Sequence, residues 1–81
     1  MQSLILYTRH SCHLCEDFEQ ELRRLLQELP FEVEIRDVDT RPEWRAAYND
    51  QVPLLLAGAE EISRYFLDAQ ALRAFLAEPS P

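Results

Sequence analysis

Lysine is absent from this 81-residue chain, so all eight basic side chains are arginine, set against fifteen Asp and Glu for a net charge of −7. That balance excludes nucleic acid and anionic membrane surfaces as natural partners, because both reward a basic face. Glycine is nearly absent too: Gly58 stands alone, which excludes a glycine-rich phosphate-binding loop. No stretch approaches the ~20 apolar residues of a membrane-spanning helix. The opening Met1 to Tyr7 lacks the basic leader and long apolar region of a secretory signal, so the expected location is cytoplasmic. There is no internal repeat, and low complexity is confined to Pro79-Ser80-Pro81. With 47% hydrophobic residues, the length suits a single domain over residues 1–81 with one modest core. Its small size and acidic surface favour a monomer.

Cysteine is the last scarcity. The only two, Cys12 and Cys15, fall three apart in Cys12-His13-Leu14-Cys15, a spacing that chance gives in roughly one placement in 40. They lie where a hydrophobic strand gives way to an amphipathic helix. Unpaired backbone N–H groups at a helix start favour a thiolate, the nucleophile of disulfide exchange. A structural staple is the weaker reading: a ring this small constrains the unfolded chain by only roughly 2 kcal/mol, and a reducing cytoplasm does not preserve it.

Leu4-Ile5-Leu6-Tyr7 is a short apolar run, the mark of a strand buried on both faces. Ser11 reads as the N-cap of a helix whose apolar stripe runs through Leu14, Phe18, Leu22, Leu25 and Leu29 and stops at Pro30. Phe31 to Arg36 alternates apolar and polar residues as a strand does. Thr40-Arg41-Pro42-Glu43 resembles a capping box that opens a helix through Trp44, Ala47 and Tyr48. Pro53 to Ala57 reads as a third strand, Gly58 as a tight turn, and Glu60 to Phe66 as a fourth strand. Asp68 caps a last helix with Leu72, Phe75 and Leu76 facing inward. This strand–helix–strand–helix–strand–strand–helix order implies parallel neighbours and an antiparallel hairpin at one edge. It puts the dithiol at the C-terminal end of the first strand, where open α/β sheets hold their ligands.

Tyr7-Thr8-Arg9-His10-Ser11-Cys12-His13-Leu14-Cys15 resembles the opening of glutaredoxin-like proteins of the thioredoxin superfamily. Asp37-Val38-Asp39 resembles the acidic end of that family's second strand, and Val52-Pro53 the proline before its third. The resemblance covers nearly the whole chain. It implies a thioredoxin-like α/β fold, βαβαββα in three α/β/α layers around a four-stranded mixed sheet. It also implies a cis Val52-Pro53 bond facing the dithiol, with the main chain before the proline pairing with extended substrate. Arg9 matches a basic residue that contacts the glutathione carboxylate in many glutaredoxins. The chain departs from the family in His13-Leu14 between the cysteines, in Ser11 where thioredoxins carry tryptophan, and in Ala57-Gly58-Ala59-Glu60-Glu61 where glutathione-binding relatives carry a glycine pair.

The expected activity is thiol–disulfide exchange. Cys12 attacks a disulfide in a protein or a glutathione mixed disulfide, Cys15 resolves the intermediate, and an unidentified reductant recharges the pair. No bound cofactor is implied; glutathione is open as a co-substrate. Cys12 should titrate below a free thiol. Glu16 and Asp17 oppose its charge by only about 0.5 kcal/mol each at ~8 Å in water, against the roughly one to five units a helix start supplies. His13 reads equally as a tuning residue and as a bystander, and His10 as a loop residue. Tyr7 and Thr8 read equally as groove lining and as packing, while Trp44, Tyr48 and Phe66 read as packing, with substrate binding the alternative. Asp37 reads as a solvent-facing acid, with proton acceptance near Cys15, as in thioredoxins, the alternative. Two other functions stay open: a non-catalytic thioredoxin-like binding module, and a metal or iron–sulfur carrier through Cys12. For the carrier, Cys12 and the adjacent His13 diverge by about 100° around the helix and fit one tetrahedral ion poorly, so no metal ligand is assigned.

Overall fold

A computed structural model describes residues 2–77; Pro79-Ser80-Pro81 lies outside them. Strand β1 (Gln2–Thr8) leads into helix α1 (His13–Leu26), β2 (Phe31–Asp37), a single 3-10 turn (Val38–Thr40) and helix α2 (Pro42–Tyr48). Strands β3 (Leu54–Ala57) and β4 (Glu60–Arg64) and helix α3 (Ala69–Ala77) follow. The sheet order is β2-β1-β3-β4, with β1 parallel to β2 and antiparallel to β3, and β3 antiparallel to β4.

Strand alternation divides the apolar residues between two faces. Leu4, Leu6 and Leu55 pack with Phe18, Leu22 and Leu25 of α1 and Leu72 of α3. Ile5, Tyr7, Leu54 and Leu56 pack with Val38 and with Trp44 and Tyr48 of α2. Helices on both faces make three layers, and the two central strands, β1 and β3, contribute to both cores. The continuous apolar run of β1 is thereby explained.

The helix starts differ from expectation. Cys12, not Ser11, caps α1, because Ser11 is left-handed (φ 57°) and Cys12 takes the extended cap conformation. The buried stripe of α1 is Cys15, Phe18, Leu22 and Leu25. Leu14 is 38% exposed: Cys15 behaves as a small hydrophobe and takes the inward place in the first turn. Thr40 forms no capping box; its hydroxyl donates to the Asp37 carbonyl (2.6 Å) and closes the 3-10 turn. Pro42 occupies the first turn of α2 and forces the residue before it into extended backbone, so Arg41 (φ −140°, ψ 131°) becomes the cap, without a side-chain bond. Asp68 does cap α3, accepting the Ala71 N–H at 3.0 Å.

Ala57 and Glu60 pair across a two-residue hairpin in which Gly58 alone has positive φ (62°), the pattern of a II′ turn. Strand β4 stops at Arg64 rather than Phe66, because Tyr65 is left-handed (φ 69°). Phe66, expected to pack, is 72% exposed.

The two leucines of α1 give a direct test. Leu22→Ala, which empties a fully buried site, should cost about 2–5 kcal/mol in urea unfolding. Leu14→Ala should fall within about 0.5 kcal/mol of the parent. Equal losses would mean that α1 is rotated from the orientation described.

Candidate functional site

The site is built where β1 turns into α1. Ser11 swings the chain round in its left-handed conformation, and the Cys12 carbonyl then accepts the first helical bond, from the Glu16 N–H at 3.0 Å. The cap itself is sulfur: Cys12 Sγ accepts the Cys15 N–H at 3.1 Å. Cys12 and Cys15 are joined as a disulfide, with Cα atoms 5.1 Å apart. Cys15 is buried (2% exposed), whereas Cys12 is partly exposed. Reduction leaves Cys12 Sγ at a helix N-terminus with an amide aimed at it, an arrangement that stabilises negative charge on sulfur.

Both imidazoles face carboxylates. His13 is almost fully exposed, its Nδ1 4.0 Å from Glu16 Oε2, and His10 Nε2 lies 3.2 Å from Asp37 Oδ2. The hydrogen bond held by the Cys12 sulfur therefore comes from backbone, not from a histidine.

Behind Cys15 lies a cavity of about 280 Å³, which Thr8, Arg9, Ser11, Glu16, Ile35 and Asp37 help to line. Asp37 is not the solvent-facing acid the sequence suggested, its side chain being 18% exposed. Parallel pairing sets Asp37 opposite Thr8, on the sheet face that α1 covers. Its Oδ1 accepts the Asp39 N–H at 2.9 Å. Tyr7 serves packing: it is buried, stacks on Tyr48 (centroids 4.1 Å apart) and meets Trp44 edge-on at 5.8 Å. Burial beside Tyr7 pushes the Tyr48 hydroxyl above its ordinary range.

Arg9 binds within the protein. Its Nε donates to Asp39 Oδ2 (2.9 Å) and its Nη2 to Asn49 Oδ1 (2.5 Å), while Arg45 Nε reaches the same Asp39 at 3.1 Å. The Arg9 guanidinium holds the Asp39 carboxyl below the usual range, and Asp39 in turn raises Arg9. Arg9 thus ties the end of β1 to the loop that leads from Asn49 to Val52-Pro53. That peptide bond is cis, and the Pro53 carbonyl accepts the Tyr65 N–H at 2.8 Å. Arg9 and Cys15 share the cavity; Val52 and Pro53 lie outside it. Among the described residues no group of three or more His, Cys, Asp or Glu side chains converges to hold a metal ion, and no helix is long and apolar enough to cross a membrane.

The partners of Arg9, Asp39 and Asn49, escaped the sequence reading, since they are 30 and 40 residues away along the chain. So did Tyr65 and the exposure of Phe66 beside it; the signal is a bulky aromatic pair with no glycine where a strand must end.

The chain is similar to uncharacterized proteins of mycobacteria, Rv0508 of Mycobacterium tuberculosis and Mb0520 of Mycobacterium bovis. Each is 34% identical over 77 residues, covering 89% of this chain and 79% of the relative. Among solved structures, the solution NMR structure of Ne2328 from Nitrosomonas europaea superposes with a TM-score of 0.80 at 37% identity, covering 94% of this chain and 92% of that one. The X-ray structure of XcR50 from X. campestris gives a TM-score of 0.64 at 33% identity, covering 94% and 99%. The model of the glutaredoxin-like domain family (DUF836) matches residues 3–77. With its mixed four-stranded sheet, its helices on both faces and a Cys-x-x-Cys pair opening the first of them, the chain belongs to this glutaredoxin-like family of the thioredoxin superfamily.

Proposed function

We propose that the protein is a small thiol–disulfide oxidoreductase in which Cys12 is the attacking sulfur and Cys15 the resolving one. The observation that carries this reading is the sulfur cap: the partly exposed Cys12 Sγ accepts an amide N–H of its own helix, while its buried partner stands within disulfide reach. In the reduced protein the Cys12 thiolate attacks one sulfur of a substrate disulfide. A Cys12–substrate disulfide forms and the other substrate half leaves as thiolate. Cys15 then gives up its proton and attacks Cys12 Sγ. The Cys12–Cys15 disulfide forms, and the second substrate half leaves with the electron pair of the broken bond. Two electrons pass from the dithiol to the substrate, and an external thiol reductant returns them by the reverse sequence.

Other residues take supporting roles. Asp37, which lines the same cavity as Cys15, accepts the proton that Cys15 loses. Val52, before the buried Pro53, supplies main-chain groups for an extended substrate. Arg9 acts as a positioning residue, holding the Asn49–Pro53 loop in place through Asn49. His13, exposed beside Cys12, tunes the charge around the sulfur.

Two experiments test the assignment. Cys12→Ser should abolish reduction of a disulfide substrate, whereas Cys15→Ser should accumulate a mixed disulfide visible by mass spectrometry of the intact protein; exchange that persists in Cys12→Ser would sink the reading. The rate of Cys12 alkylation in reduced protein should rise with pH through a midpoint below that of an ordinary thiol, about 8.5. A midpoint at or above that value removes the activation on which the mechanism depends.

A further inference from the structure

Beside the dithiol lies an apolar notch of about 220 Å³, whose lining includes Leu14, Tyr65, Phe66 and Leu67, with buried Phe18 beneath. Leu14 is one of the two residues between the cysteines, so the notch borders the Cys-x-x-Cys segment. Phe66 is the most exposed large hydrophobic residue described.

Its backbone is held on every side. The Phe66 N–H donates to the Arg64 carbonyl (2.7 Å), closing a γ-turn around Tyr65 at φ 69°. The Ser63 hydroxyl donates to the Phe66 carbonyl (2.5 Å) and accepts the Asp68 N–H (2.8 Å). The Tyr65 hydroxyl donates to the Asp50 carbonyl at 2.7 Å. A bulky residue in left-handed backbone is sterically disfavoured, and such conformations persist where the surroundings impose them, often at functional sites. Here the disfavoured turn presents a phenyl ring to solvent on a fixed backbone. Rigid aromatic anchors lose little entropy on binding and tend to dominate recognition.

The rim of the notch is acidic. Asp17 and Glu21 line it, and Asp17 has no partner among the described residues. Every arginine is engaged: Arg41 lies over the Trp44 ring and the other seven pair with carboxylates, Arg9 included. An anionic ligand such as glutathione must therefore draw a guanidinium out of an ion pair or off the Trp44 ring to find a cation, while a basic one meets an unpaired carboxylate.

We propose that Leu14, Tyr65 and Phe66 form a docking site for polypeptide disulfides that carry a large apolar side chain and a basic residue beside the reacting cysteine. This rests on the oxidoreductase reading and names the substrate class of that same site. Cys12 attacks the peptide sulfur while the apolar neighbour occupies the notch and the basic one faces Asp17.

The test uses the reduced full chain and three thionitrobenzoate mixed disulfides: of an Arg-Phe-Cys peptide, of a Glu-Ala-Cys peptide and of glutathione. Attack of the Cys12 thiolate on the peptide sulfur forms the Cys12–peptide disulfide and expels coloured thionitrobenzoate, so rate constants follow from absorbance. The Arg-Phe-Cys peptide should react about tenfold faster than either comparator, and Phe66→Ala and Asp17→Lys should each compress that preference to under about threefold. Equal rates for the three probes, a preference for glutathione, or a preference that survives both substitutions overturns the docking site. Release no faster than from free cysteine with all three probes instead overturns the oxidoreductase reading itself.

Discussion

The hydrogen bond from the Cys15 amide to Cys12 Sγ is the contact on which the site depends, because it belongs to both the helix and the chemistry. A helix start leaves N–H groups without intrahelical partners, and α1 satisfies one of them with sulfur where serine, threonine or aspartate would be usual. An oxygen cap at that position contributes about 1 kcal/mol to a helix, and sulfur is the weaker acceptor. The same contact strengthens when the acceptor is ionised, so folding and thiolate formation favour the same geometry. The left-handed Ser11 is what makes it possible, since it ends β1 abruptly enough for the next residue to enter the cap position.

The opposite face of the sheet shows how the loop before Pro53 is held. Helix α2 has seven residues and none is fully buried; a helix that short has no stability of its own in water. It is anchored by Tyr48 stacking on Tyr7, by Trp44 meeting Tyr7 edge-on, and by the Arg36 guanidinium 5.1 Å from the Trp44 ring. Arg36 also donates to the Tyr7 hydroxyl at 2.9 Å, so the buried phenol is satisfied. The Arg9–Asp39–Arg45 cluster then ties the middle of α2 to the end of β1. Exposed ion pairs are individually weak, but this one closes a loop between distant segments, and its consequence is positional.

Legibility in the sequence followed the range of the forces involved. Elements ruled by local patterning were readable: the apolar run of β1, the alternation of β2, the Gly58 turn, the Asp68 cap. The dithiol was readable because two cysteines at one spacing carry their own geometry. Readings failed where a residue answers to something beyond its neighbours. Leu14 fits the helical stripe as well as Cys15 does, and only the sheet beneath decides which is covered. Phe66 continues a strand pattern that ends two residues earlier, because Ser63, Asp68 and Pro53 bind the turn around Tyr65. Asp37 is polar and next to a loop, yet pairing with Thr8 puts it under α1.

The unequal burial of the two sulfurs also orders the proposed chemistry. Stabilising the Cys12 thiolate stabilises the reduced protein, which raises the reduction potential of the pair and makes it a better oxidant. Burying Cys15 acts on the rate instead, because desolvation disfavours its thiolate and keeps it a neutral thiol. The two effects are therefore separable: one sets which sulfur attacks, the other delays the second attack until a base is near. A cavity that carries a carboxylate behind Cys15 is the counterpart such burial requires. Without a proton acceptor on that side, the mixed disulfide would outlive the encounter that formed it, and reduction by an outside thiol would compete with internal resolution.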